Sequence, residues 1–504
     1  MIASLPMYDR PETRGAFENM NPEPPVLVLD GNGLSCASLV AAIEQKAGVE
    51  LTDEAWLRVS KAREVVEHIT SSGIAAYGIN TGVGSQKDHA VPTAALAEFN
   101  RRLVRAHATR VPGPSLSEGI VRGALIVLLN GFAKGYSGVS EELVKVIIGK
   151  LAEGKFPTID AGGTVGASDL VPLAQIADWL ISSEQAQASG LPKAKETLSL
   201  INSNAVSLTV GALQLVELKN LTWAQELAAA TSMEGFRCNL DAISEIVNKV
   251  HIRPGQTRVA DRLRTFLQGS RLWSKGEARL LQDPLSFRCI SQIHGAVEEV
   301  VLNAEEILTQ ELNSLADNPV VDHDSFAAFS NGNMDTTRHT LALDQVRQGL
   351  AKITDISGER IHKLQWTAFS GLPTGLAAED SAIGGVQFLN LGHIAASLIT
   401  SVKIWAQPQL LIAIGQLADG VEDTAGNAFH AVHDLQRQID AAWTIAAIEL
   451  SIATWSIQRR GLSEANLGVA VRDVVQSILP LLPVGVEGIE VFDLSIVRNA
   501  LKNR

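Results

Sequence analysis

The sequence predicts a mainly α protein, a long helical bundle preceded by a small, loop-rich α+β portion. Two observations carry that prediction. From about residue 204 onward, apolar side chains recur at three- and four-residue steps over long segments filled with Ala and Leu, which are good helix formers. Before that point the apolar runs are shorter and are broken by glycine-rich loops.

Taken in order, residues 1–25 are rich in Pro, Glu and Asn without periodicity and predict an extended arm. Val26–Leu29 is a short apolar run followed by the turn signal Asp30-Gly31-Asn32-Gly33, which predicts a small hairpin. Helical character begins at Leu34. Residues 26–203 form a domain of active-site loops, and 204–504 form the helical-bundle domain. Tyr77-Gly78-Ile79-Asn80-Thr81-Gly82-Val83-Gly84 is one glycine-punctuated loop. Its spacing is not a dinucleotide fingerprint, and no Walker lysine follows. A second loop, Phe156 to Ser168, holds Gly162, Gly163 and Gly166. In Ile290–Leu312, the positions Ile293, Val297, Val300, Val301, Ala304, Ile307, Leu308 and Leu312 make one helical face. Similar patterns run through 205–232, 339–365, 386–406 and 424–457, predicting antiparallel helices with loops at their ends.

Composition narrows the function. A net charge of −13 argues against a nucleic-acid surface. Three irregularly spaced cysteines, Cys36, Cys238 and Cys289, give neither a disulfide framework nor a metal site, and fit the reducing cytosol. The chain opens without a basic, then apolar, leader, so a cytoplasmic location is expected. The longest apolar stretch, Ile394 to Ile414, contains Lys403, two glutamines and Pro408. It reads as a core helix rather than a membrane span.

The motifs that carry chemistry come in a particular order: Tyr77-Gly-Ile-Asn-Thr-Gly, Arg105-Ala-His107-Ala, Gly166-Ala167-Ser168-Asp169-Leu170 and Leu200-Ile-Asn202-Ser. Gln282-Asp-Pro-Leu-Ser-Phe-Arg288-Cys, Ala316-Asp-Asn-Pro, Ser330-Asn-Gly-Asn333 and Glu422-Asp423 follow. Any one is weak, but the ordered set, from roughly residue 26 to 460, resembles the aromatic amino acid lyase family of histidine and phenylalanine ammonia-lyases. That resemblance implies the ammonia-lyase helical-bundle fold and a homotetramer with active sites shared between subunits.

The resemblance also implies roles. Tyr77 would be the base, because β-elimination must remove a poorly acidic proton. A phenolate suffices where positive charge or helix N-termini stabilise it. Against this stands a half-buried loop tyrosine of no catalytic role. Arg288 would grip the substrate carboxylate with its planar fork, or else be a structural partner of Asp283. Asn202 and Asn333 would add hydrogen bonds around the substrate, or serve as loop caps. His107 suits an imidazole ring, although a lone histidine is more often packed or exposed. Glu422 resembles the acid held near substrate in histidine lyases, or is helix-start charge beside Asp423. Asn390 falls near a position where family members vary.

Three departures from the family pattern shift the expected reaction. In the family an Ala-Ser-Gly tripeptide cyclises to methylideneimidazolone (MIO), the electrophile that captures the amine. Here Ala167 and Ser168 are followed by Asp169, whose Cβ crowds the slot glycine leaves open. Leu285 stands where the family has a tyrosine, and Met334-Asp335 replaces a Phe-His pair. A primary amine needs the ring because its N–H protons leave before the β-proton does, and the neutral amine then departs poorly. A trimethylammonium group has no N–H and departs as neutral trimethylamine. The resemblance to the MIO-less branch of this family then implies an enzyme without MIO or any other cofactor, cleaving an imidazole amino-acid betaine such as ergothioneine, with its sulfur-free relative hercynine as the other candidate. Asp335, Asp169, Trp366 and Phe329 are candidates to face the cation. The alternatives are an MIO-dependent histidine or aromatic ammonia-lyase, a non-catalytic binding protein of the same fold, and a fumarase-like lyase.

Overall fold

The computed structural model describes residues 25–377, 388–483 and 491–504. All but the last residue of the arm expected at 1–25 lies outside these, as does the start of the helix expected over 386–406.

Strand β1 (Val26–Leu29) is not part of a hairpin. It pairs in parallel with β2 (Gly48–Leu51), Val26 opposite Gly48 and Leu29 opposite Leu51. A parallel pair needs a crossover, and helix α1 (Cys36–Glu44) supplies it. The Asp30–Gly33 signal does mark a turn, but the turn leads into α1 and not into an antiparallel strand. Asp30 accepts the amides of Asn32 and Gly33 through one oxygen, and a Ser35–Ser38 capping box then starts α1. Helices α2 (Asp53–Ser72), α3 (Leu96–His107), α4 (Glu118–Ala133), α5 (Glu141–Glu153), α6 (Leu170–Ile181), α7 (Glu184–Ala188) and α8 (Glu196–Ile201) complete this portion.

The bundle begins with α9 (Ala205–Phe236), buried along most of its length. Short helices α10 (Glu245–Val250), α11 (Pro254–Phe266) and α12 (Leu285–Arg288) follow, and α13 (Ile290–Leu312) runs back along α9. An antiparallel hairpin of β3 (Val320–Asp322) and β4 (Ala327–Phe329) leads to α14 (Thr337–Gln365). Then come α15 (Thr367–Ser370), α16 (Leu389–Trp405), α17 (Ala428–Arg459), α18 (Val469–Ile478) and α19 (Leu494–Lys502). The apolar periodicity thus located the long helices to within a few residues. The stretch Ile394–Ile414 is helical only as far as Trp405, and the chain leaves the bundle before Pro408.

Successive long helices are antiparallel, as expected, but the count leaves three pointing the same way. The first turns of α9 meet those of α17 through Gln214 and the Val432 carbonyl, and their later turns meet through Ser232 and Glu449. Helix α14 follows α17 in the same sense, Gln438 donating to the Arg347 carbonyl and Arg360 pairing with Glu449. Helices α13 and α16 are the returns. Leu308 lies beside Gly211, and Gly392 beside His362 and Gln365. The N-termini of α9, α14 and α17 therefore share one end of the bundle. The 32 residues of α9 separate that end from the other by about 48 Å at 1.5 Å per residue. The apolar segment Glu196–Phe236 is long enough to cross a membrane by composition, but 78% of its most apolar window is buried within the protein.

Candidate active site

The loop from Gly162 to Asp169 lies at the end where the helix N-termini gather, and each of them holds it. Thr336, just before α14, donates its hydroxyl to the Gly166 carbonyl (3.0 Å). Asn427, just before α17, donates its amide to the Val165 carbonyl (3.1 Å). Gly166 has φ +84°, and a Cβ there would lie 2.8 Å from the Ala428 nitrogen, so only glycine fits beneath α17. Asp169 directly precedes α6 and donates its amide to the Ser203 carbonyl (2.7 Å). Ser168, itself at φ +65°, donates its hydroxyl to the Asn202 side-chain oxygen (2.7 Å). Four helix N-termini around one loop make this end of the bundle favourable to negative charge.

Asp169 does not face a ligand. It is fully buried, and one carboxylate oxygen accepts the Ser207 amide (2.8 Å) and hydroxyl (3.0 Å) in the first turn of α9. Its other oxygen has no hydrogen-bond partner among the described residues. Burial pushes the carboxyl up to about 6, outweighing the hydrogen bonds from Ser207 and Val206 that act the other way. Because the folded value lies above the unfolded one, the proton-bound form favours folding. That contribution is complete below about pH 4 and is lost as pH rises through about 6. Asp169→Asn removes the titration. We therefore expect wild type to lose up to about 3 kcal/mol relative to D169N between pH 4 and pH 7. Denaturant unfolding at a series of pH values measures this, and a pH-independent difference would contradict it.

Tyr77 is brought to the same end. Its hydroxyl accepts the Gly84 amide (3.1 Å), and the ring is half-buried against the core. Next to it Gly78, at φ +63°, packs so closely on Leu198 of α8 that a Cβ would lie 2.3 Å from that side chain. Helix α8 ends at Asn202, so the tyrosine loop and the Ser168 loop share one support. Glu422 arrives on a short loop whose backbone closes on Leu417. The Ala418–Gly420 turn of that loop packs on the Gly84–Gln86 turn that holds the Tyr77 hydroxyl. His107 is the last residue of α3. Its Nδ1 lies 2.8 Å from the Leu103 carbonyl, which makes Nδ1 the donor and leaves Nε2 as an acceptor. The chain just beyond it, at Val111, packs on Gly162 and Gly163.

Of the two amides expected around substrate, only Asn202 has its side chain engaged with the protein among the described residues. Asn202 accepts from Ser168 and donates to the Asn318 carbonyl (3.2 Å). Asn333 is exposed and lines, with Asn202, Asn204 and Asp317, a cavity of about 30 Å³, which is room for a water and not for an amino acid. Asp335, expected at a substrate cation, is exposed and accepts the amide and hydroxyl of Thr337 (both 3.1 Å), capping α14. The Ala316–Pro319 and Ser330–Asn333 motifs are scaffolding. Fully buried Lys195 binds Asp317 at 2.5 Å, and Asn331 donates to the Asp317 carbonyl (3.1 Å), fixing this segment to α8. Sequence reasoning passed over the clamps Ser207, Thr336 and Asn427. The one legible signal was a small polar residue within a few positions of each predicted helix start.

Arg288 lies elsewhere. It ends α12, whose Phe287 stacks on Phe236, the last residue of α9 (centroids 4.3 Å apart). Its Nε is buried and has no hydrogen-bond partner among the described residues. Asn390 is exposed in the first turn of α16, and Trp366 follows α14, both at this far end. One chain thus carries two groups of candidate residues, about 48 Å apart along α9.

The sequence from residue 34 to 478 matches the model of the aromatic amino acid lyase family. Histidine ammonia-lyase from Alkaliphilus metalliredigens is 30% identical over 459 residues, covering 87% of this chain and 90% of that protein. The enzyme of the same name from Bacillus cytotoxicus is 31% identical, covering 88% and 90%. Among solved structures, the ergothioneine-degrading enzyme ergothionase from Treponema denticola superposes with a TM-score of 0.87 at 27% identity, covering 95% of this chain and 98% of that one. Histidine ammonia-lyase from Trypanosoma cruzi superposes with a TM-score of 0.82 at 28% identity, covering 95% and 93%. The fold is that of a helical-bundle carbon–nitrogen lyase. The chain belongs to the aromatic amino acid lyase family.

Proposed function

We propose that this lyase eliminates trimethylamine from an imidazole amino-acid betaine, ergothioneine being the substrate, and does so without forming MIO. The observation that carries the reading is the state of the Asp169 amide. Ring closure requires that nitrogen to attack the Ala167 carbonyl, in a residue without a Cβ. Here the nitrogen is committed to Ser203 at 2.7 Å, and the side chain is locked in the interior by Ser207. These residues do not fit the cyclised group. The likeness to ergothionase supports the same reading, while the curated relatives at 30–31% identity carry the histidine ammonia-lyase name.

In this reaction the Tyr77 phenolate takes the β-proton beside the ring. The carbon–nitrogen bond breaks, trimethylamine leaves with the electron pair, and a conjugated thiourocanate remains. Nothing has to activate the leaving group, so positioning supplies most of the catalysis. Arg288 holds the carboxylate, and Glu422 and His107 face the ring. Asn202 acts on the loop through Ser168. Because Arg288 and Tyr77 lie at opposite ends of α9, the site is completed by a second copy in a homotetramer.

Two measurements test this. Incubated with ergothioneine, the protein should give a new conjugated absorbance and one trimethylamine per turnover. Turnover of histidine instead would overturn the substrate assignment. The intact mass should equal that of the unmodified chain, and a mass lower by two waters would show that the ring forms.

A further inference from the structure

We propose that Arg360 is a positioning residue for the substrate carboxylate, acting through the backbone of α12. The inference rests on the reading of Arg288 given above. Arg360, on α14, is fully buried. Its Nε and Nη2 pair with the two oxygens of Glu449 on α17, at 2.6 and 2.9 Å. Glu449 also accepts the hydroxyls of Ser232 on α9 (2.8 Å) and Ser357 on α14 (2.5 Å). The three parallel helices are thus tied at one point near the far end of the bundle. The remaining edge of the guanidinium leaves this knot, and Nη1 donates to the Ser286 carbonyl at 3.0 Å.

A buried ion pair is a poor way to hold helices together, because desolvation offsets its Coulombic gain and apolar side chains would pack as well. What apolar side chains cannot provide is a directed hydrogen bond to the backbone of a single helical turn. Ser286 stands two residues before Arg288 on that turn. The segment before α12 is fixed by the Asn239 amide on Asp283 (2.6 Å), and the Phe287 side chain by its stack on Phe236. Arg360 fixes the middle. The planar fork of arginine meets Glu449 and Ser286 together, and a lysine reaches one of them.

The test uses the full-length protein with the substitutions Arg360→Lys, Glu449→Gln and Arg288→Gln. Ligand affinity is read with two probes, the thiourocanate product and 2-thioimidazole, which is the same ring without the carboxylate. R288Q should weaken thiourocanate and spare 2-thioimidazole. R360K should raise KM for ergothioneine and weaken thiourocanate by about tenfold, leave 2-thioimidazole unchanged and change kcat much less. The R360K/R288Q double variant should lose no more thiourocanate affinity than R288Q alone. Equal weakening of both probes by R360K, or additive losses in the double variant, would overturn the proposal and leave the Arg288 reading intact. If R288Q spares thiourocanate, the Arg288 reading fails and the proposal fails with it. Should R360K not fold, E449Q decides by the same two-probe comparison, since it leaves Arg360 a neutral acceptor and loosens the knot less.

Discussion

Tyr77→Phe is expected to lower kcat for trimethylamine release by about a thousandfold while leaving the fold in place. The loss is of the size general bases supply. Among the described residues the phenol makes a single hydrogen bond, from the Gly84 amide, and losing it costs about 1 kcal/mol. The loop does not depend on it. Asn80 accepts the Ala76 amide and donates to the Ile74 carbonyl, both at 2.8 Å, and the Gly82 amide binds the His89 carbonyl. The ring keeps its packing against the core. Thermal unfolding of the variant should therefore sit within a few degrees of wild type. Trimethylamine release within tenfold of wild type would remove Tyr77 as the base and return it to the role of a packed loop tyrosine.

The contrast between Tyr77 and Asp169 shows where the sequence was legible. Helices announce themselves by repeated local contacts, so α9, α13, α14 and α17 could be placed from periodicity alone. The parallel pairing of β1 with β2 could not. It joins segments on either side of α1, and no local pattern distinguishes it from a hairpin. The same limit applies to the site. Tyr77 stands on a loop whose glycines mark close approach, and Gly78 does press on Leu198. Asp169 and Asp335 were read as carboxylates free to meet a cation, because sequence shows a charge without its partners. In the structure they cap helix N-termini through Ser207 and Thr337. Spacing along the chain is equally silent on which candidates share a place. Leu200-Ile-Asn202-Ser and Gln282 to Cys289 look like parts of one site, yet α9 lies between them.

That separation yields the second large effect. Y77F and R288Q should each be nearly inactive as homo-oligomers, yet their co-expressed mixture should recover activity. Tyr77 lies toward one end of α9 and Arg288 at the other, and the helix is about 48 Å long, far beyond the length of any amino-acid substrate. If both residues act on one substrate, a working site takes Tyr77 from one subunit and Arg288 from another. With random assembly of equal amounts, each position is intact in half of the subunits. About a quarter of the sites then receive both intact residues, and the mixture should show about a quarter of wild-type activity. Differently tagged chains purified in tandem would confirm that the assayed material is mixed. Activity no higher than that of the single variants, in material shown to be mixed, would mean that one of the two residues has no part in catalysis or that the site closes within a single chain. Recovery near a quarter would establish a shared site without any structure of the assembly. It would also give the Arg288 Nε, which has no hydrogen-bond partner among the described residues, its purpose, since an arginine at the end of one bundle is then held ready for a carboxylate bound against its neighbour.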